Sequence, residues 1–226
     1  MLLIDVVLEQ WRRQDESKVP RWSFFLCSSK KIPYHKKGER FGSGHNSAVN
    51  TEDEAREMFG NASARDFFIG VAAGAVSGGV LAVDIDVKKE NTPPGLTDLE
   101  TIKLTVENNF GDLPKTESQT TKSGGEHLFY IDNRVGTKNN VFDFSRSGLA
   151  IDIKGSGGYF ILYNYDINFE NVSDAPEWIC EKIKFRNSYD GTDSSDYTGL
   201  VPLCEEMEKD IHEAFLFLDY NDRDSF

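Results

Sequence analysis

A chain of 226 residues with 16 Phe, 8 Tyr and 3 Trp has the means to bury a packed core, which excludes a disordered or low-complexity protein. No apolar run approaches the roughly 18 residues of a membrane helix, so a membrane-spanning protein is not expected. The formal net charge of −13 argues against a surface that binds nucleic acid throughout, yet the charge is uneven. Residues 187–226 hold eleven Asp/Glu against Lys209 and Arg223, a net of −9, which leaves −4 for residues 1–186. Within that remainder KKIPYHKKGER, Lys30 to Arg40, sets five basic residues against Glu39. Exposed charges act over about 8–10 Å, so this patch can steer phosphates on an acidic protein, although a solvated loop fits the charge equally well.

In chain order, MLLIDVVLEQWRRQDE predicts an amphipathic helix over Leu2 to Gln14. Its acids and the lack of a basic first region argue against a signal peptide, so an intracellular, cytoplasmic protein is expected. WSFFLC, Trp22 to Cys27, predicts a short buried strand, and the stretch to Asn50 a long loop of the kind that is often functional. Thr51 with Glu54 forms a capping box that opens a short helix in TEDEAREMF. FFIGVAA, Phe67 to Ala73, and VLAVDIDV, Val80 to Val87, read as neighbouring strands joined across AVSGG. After the breaker NTPPG comes a helix over about Thr97 to Asn109, then strands in ESQTT, EHLFYI, LAIDI and GYFILY. PEWICEKIKF, with Ser173 as cap and Pro176 in the first turn, predicts a further helix. CEEMEKDIHEAFLFL predicts a terminal helix after a polar linker. Helices interspersed with runs of strands favour an α+β fold with a mixed sheet. Cys27, Cys180 and Cys204 form no CxxC pair and read as core thiols.

Chemistry concentrates at three places. In VLAVDIDV a period of two puts Asp84 and Asp86 on one face of an otherwise apolar strand. A buried carboxylate neutralises, finds a partner or binds a metal. In SGGEHLFYID, His127 begins an apolar strand just after a Gly pair, Gly124 and Gly125, that lets another group approach closely. In LAIDIKGSGGYFILY, Asp152 interrupts a third strand, with Lys154 on the same face if the strand continues. Three strand carboxylates beside a histidine would form a preorganised all-oxygen site, which suits Mg²⁺ or Mn²⁺ better than zinc. GSGGYF and GSGH both lack the GK[ST] ending of a P-loop, which removes a nucleoside-triphosphatase of that type.

Taken in order, DxD in an apolar strand, one intervening helix, GGxH entering a strand, then an Asp strand running into a Gly-rich turn and GYFIL resemble the archaeo-eukaryotic primase superfamily. More narrowly, the set is similar to the primase-polymerase domain of plasmid, phage and mobile-element replication proteins. WSFFLCSSKKIP with its Lys31 to Pro33 loop, SAVNTEDEA and FIGVAAGAVSGGVLAVDID extend the likeness over about Trp22 to Tyr163. The resemblance implies an RRM-like catalytic lobe packed with an N-terminal α/β lobe in residues 1–186, a linker over 187–199 and an acidic helix and tail over 200–226. It implies that Asp84, Asp86 and Asp152 hold two divalent ions and that His127 meets the phosphates of an incoming nucleotide, with Lys154, Lys31 and Gly125 at the nucleotide. The activity implied is a template-dependent DNA primase or polymerase that uses nucleoside triphosphates on a single-stranded DNA template, with a replicative helicase in trans as a partner, in a prokaryotic host. Many superfamily members carry Ser two places before the histidine, where this chain has Gly125, with Ser123 displaced by two. Two other functions fit the same residues: a non-catalytic single-stranded nucleic-acid-binding module and a metal-dependent nuclease.

Overall fold

The computed structural model describes residues 1–87, 98–132, 142–143 and 151–180. The chain divides after Ser188, and all described residues belong to the first unit, Met1–Ser188. The expected linker over 187–199, the helix and tail over 200–226, the NTPPG breaker and Cys204 lie outside the described residues.

Two sheets carry the fold. In the first, β1 (Ser23–Ser28) pairs antiparallel with β2 (Phe67–Ala72), which pairs antiparallel with β8 (Tyr159–Leu162). The second runs in the order β4 (Ser118–Thr120), β5 (Glu126–Ile131), β3 (Val80–Ile85), β7 (Ile151–Lys154), β6 (Phe142–Asp143), all antiparallel. β9 (Ser173–Asp174) joins β5 in parallel, which makes this sheet mixed. The fold is α+β, as expected.

Each sheet has its own core. The apolar stripe of α1 (Leu3–Glu16), through Leu3, Val7 and Trp11, packs with β1, β2, β8 and Met58 and Phe59 of α2 (Glu52–Phe59). Trp22 anchors this core with ring-edge contacts to Phe129, Phe160 and Phe169, while its carbonyl accepts from Trp11 Nε1 at 2.8 Å. α3 (Leu99–Phe110) lays Ile102 and Val106 on the far face of the second sheet, against Leu81, Val83, Ile85, Leu128, Tyr130, Ile151 and Ile153.

Three details of the sequence reading change. The strands flanking AVSGG do not form one paired ladder: β2 and β3 belong to different sheets, with an isolated bridge between Gly74 and Val80 at the crossing. The chain turns between layers through Gly74, Gly78 and Gly79, whose φ values of +85°, +65° and +89° lie where side chains are strained. Ser173 sits in β9 rather than capping the following helix, its N–H donating to Thr116 Oγ1 at 3.0 Å. Thr51 occupies the N-cap position of α2, but its hydroxyl donates to Glu54 at 2.6 Å instead of accepting from a backbone N–H.

Cys27 and Cys180 are both buried. Burial pushes the Cys27 thiol up to about 12, from an ordinary value of 9.0. Above pH 9.0 the unfolded chain therefore gives up a proton that the folded chain keeps, and the thiol's contribution to stability falls as pH rises toward 12. At pH 8 the peptide carrying Cys27 should resist alkylation until the domain opens, as mass spectrometry would read; rapid labelling of the native protein would show the thiol to be accessible.

Candidate active site

Both cores meet on β3. Leu81, Val83 and Ile85 belong to the core under α3, whereas Val80 and Ala82 belong to the core of the first sheet. Asp84 shares the parity of Val80 and Ala82, so the strand period aims it at the seam between the sheets. Register then supplies its neighbours. Asp84 stands opposite His127 on β5 and opposite Asp152 on β7. The row continues to Gln119, opposite His127, and to Asp143, opposite Asp152. Opposed residues share a face with Cβ atoms roughly 4.5–5.5 Å apart, so residues scattered over more than sixty positions become one line across the sheet.

Two directly opposed carboxylates repel. Each is held by a different partner. His127 Nε2 lies 3.2 Å from Asp84 Oδ1, and Lys154 Nζ lies 2.5 Å from Asp152 Oδ2. The imidazole is 4% exposed and is packed among the rings of Phe129, Phe160 and Tyr163. Burial is tolerated because both ring nitrogens have partners, Nδ1 meeting Gln119 Nε2 at 2.9 Å.

In front of the row lies a cavity of about 420 Å³, a size that suits a small-molecule substrate. Asp84, Asp86, His127, Lys31 and Lys154 line it, which brings together five of the seven residues singled out in the sequence. Asp152 and Gly125 do not line it, although Lys154, which does, is paired with Asp152. β3 ends at Ile85, so Asp86 extends from the segment beyond the strand rather than from the expected strand face. Lys31 reaches the cavity from the apex of a tight hairpin off β1, with φ at +63°, a costly conformation for lysine. Its carbonyl accepts from Tyr159 Oη at 3.2 Å and its Nζ lies 5.1 Å from the centre of the Tyr163 ring.

Gly125 acts by its lack of a side chain. A Cβ there would run into the Ile85 carbonyl oxygen and stand 3.2 Å from Asp86 Cα. The turn it belongs to carries Thr121 and Ser123, whose hydroxyls are 3.1 Å apart and which both line the cavity. GSGG is a four-residue link from β7 to β8 with no helix after it, unlike a P-loop. Gly74 and Ser156 press together where the two crossings between sheets meet.

Several cavity residues escaped the sequence reading. His45 stacks on Tyr159 with ring centres 5.9 Å apart, Thr121 and Tyr163 also line the cavity, and behind it Gln119 meets His127. The only signal for the first was a histidine in an unusually long loop. Among the described residues no three His, Cys, Asp or Glu groups gather closely enough to hold a metal ion in the arrangement shown. The donor chemistry nevertheless fits a hard divalent cation, with the carboxylates of Asp84 and Asp152 on directly opposed residues and Asp86 lining the same cavity as Asp84. Among the described residues no helix is long and apolar enough to cross a membrane.

No curated protein matches the chain closely enough to lend it assigned residues. The family model for the N-terminal domain of bifunctional DNA primase/polymerases does match, over residues 18–183. That span takes in both sheets and every residue that lines the cavity, and the chain belongs to the bifunctional DNA primase/polymerase N-terminal domain family.

Proposed function

We propose that the domain is a nucleotidyltransferase that starts or extends a strand on a single-stranded DNA template from nucleoside triphosphates. The observation that carries this reading is the row of Asp84, His127 and Asp152 across one sheet, with Asp84 and His127 lining a cavity that Lys31 and Lys154 also line. Asp84, Asp152 and Asp86 would hold Mg²⁺ or Mn²⁺ there. When bound, a metal pair supplies activation of the attacking 3′-hydroxyl and charge stabilisation of the departing pyrophosphate.

The chain's own groups do the rest. His127 presents Nε2 toward the cavity as a donor for a phosphate oxygen. Lys154 shares its ammonium between Asp152 and the triphosphate, and Lys31, braced on Tyr163, supplies a second positive charge from the opposite sheet. The hydroxyl that relatives carry two places before the histidine comes here from Thr121 and Ser123. Tyr159 and His45 form a ring wall against which a base or sugar can pack.

The test is incubation of the protein with primed and unprimed single-stranded DNA, Mn²⁺ or Mg²⁺, and nucleotides. Wild type should yield extended products, and Asp152→Ala should lose them by about 10²-fold or more. Equal synthesis by Asp152→Ala would remove Asp152 from the site. DNA binding without metal or synthesis would favour the binding-module reading, and cleavage without nucleotides the nuclease.

A further inference from the structure

Gln119 is a buried amide at the end of the site row, on a strand that the cavity does not touch. Its two ends are engaged very differently. Oε1 accepts from the backbone N–H groups of Tyr163 and Asn164 at 2.9 and 3.1 Å. Nε2 donates to the Ile161 carbonyl at 2.6 Å and lies 2.9 Å from His127 Nδ1. A backbone N–H only donates and a carbonyl only accepts, so the amide has one orientation; turning it over would oppose like groups at three contacts.

The second Nε2 hydrogen therefore points at His127 Nδ1, which must accept. The ring proton is left on Nε2, the nitrogen 3.2 Å from Asp84 Oδ1, and both residues line the cavity. We infer that Gln119 is a positioning residue: it fixes His127 as the Nε2–H tautomer and holds that hydrogen toward the site where phosphate would sit. Ile161, Tyr163 and Asn164 lie in or just after β8, which belongs to the first sheet, whereas Gln119 and His127 belong to the second. The amide thus also ties the imidazole's aim to the docking of one sheet on the other. The tautomer follows from the hydrogen bonds alone; its use in nucleotide binding rests on the proposed function.

The two parts separate in experiment. In protein labelled with ¹⁵N at histidine, with the His127 signals identified by their loss in His127→Gln, wild type should show a bare, hydrogen-bonded Nδ1 and a protonated Nε2. Gln119→Glu offers Nδ1 an acceptor in place of a donor, and a proton should appear on Nδ1. Gln119→Met removes the donor and supplies nothing, so the Nδ1 shift should move to that of a lone pair without a donor. In folded Gln119→Met the KM for nucleotide should rise about tenfold while kcat changes much less, as expected when a supporting hydrogen bond rather than a reacting group is lost. A proton on Nδ1 in wild type, or an Nδ1 shift unchanged in Gln119→Met, would overturn the assignment. Should Gln119→Glu not fold, Gln119→Met alone decides. If wild type makes no DNA while the nitrogen signals behave as described, the polymerase reading fails and the role of Gln119 in setting the tautomer stands.

Discussion

Asp84→Asn should lower nucleotide incorporation on a single-stranded template by about 10²–10³-fold while leaving the domain at least as stable as wild type. Both halves follow from the row across the sheet. Asn keeps Oδ1 as an acceptor for His127 Nε2, so the contact now seen at 3.2 Å can persist. What disappears is the negative charge opposite Asp152. Directly opposed like charges on a sheet cost about 0.2–1 kcal/mol, and thermal melts without divalent metal should show that much gain or none. Adding Mn²⁺ should reverse the order. A ligand at a hundred times its dissociation constant stabilises by about 2.7 kcal/mol, a gain open to wild type and largely closed to Asp84→Asn. An Asp84→Asn protein that Mn²⁺ stabilises as strongly as wild type would strike Asp84 from the ligand set, and one that synthesises DNA within a few-fold of wild type would end its catalytic assignment. The pattern of lost activity without lost stability is that of residues kept for function at the expense of the fold.

The acids were legible because alternation is local: Leu81, Val83 and Ile85 on one side make a polar residue at 84 conspicuous on the other. Asp152 was legible for the same reason, as it breaks an apolar run, and His127 because it begins an apolar strand just after a Gly pair. That all three stand in one line was not, since register and strand order are decided by pairings between segments far apart in sequence. The separation of β2 from β3 into different sheets was hidden likewise, because both strands are largely apolar and only the glycines between them hint at a change of layer. Gln119 was invisible in ESQTT, where a polar residue among polar residues looks like a solvated edge. Its burial comes from β8 arriving over it, as the bonds to Ile161, Tyr163 and Asn164 show. Asp86 illustrates the opposite error: alternation extended the strand through it, but the ladder between β3 and β5 stops at Ile85 and Glu126. There the Gly125 turn closes on the chain, and Asp86 leaves the sheet.

Gly125→Ser, which restores the serine that many relatives carry two places before the histidine, should damage this protein rather than improve it. Gly125 is not needed for an unusual φ; it is needed because the end of β3 passes where its side chain would be. Any Cβ at 125 meets the Ile85 carbonyl oxygen, a backbone atom that cannot swing aside, and crowds Asp86 Cα at 3.2 Å. Relief requires either the turn after β4 to lift away or residues 85 and 86 to move. Overpacking of this kind costs about 1–3 kcal/mol. The effect on synthesis should exceed what that loss predicts, since a shift of about 1 Å in a ligand-bearing segment can cost on the order of 10²-fold. Gly124→Ala separates the wedge from ordinary backbone strain. Gly124 has φ at +91°, and a Cβ placed on it would meet nothing within 4 Å. Alanine there strains the turn by about 1 kcal/mol without pressing on Asp86. The expected order is therefore wild type, then Gly124→Ala with reduced stability and near-normal specific activity, then Gly125→Ser with both reduced. Thr121 and Ser123 on the same turn already line the cavity with hydroxyl-bearing side chains, so no gain from the new serine is expected. Specific activity in Gly125→Ser equal to that in Gly124→Ala would show that the approach of the turn to Asp86 is not what positions the acid.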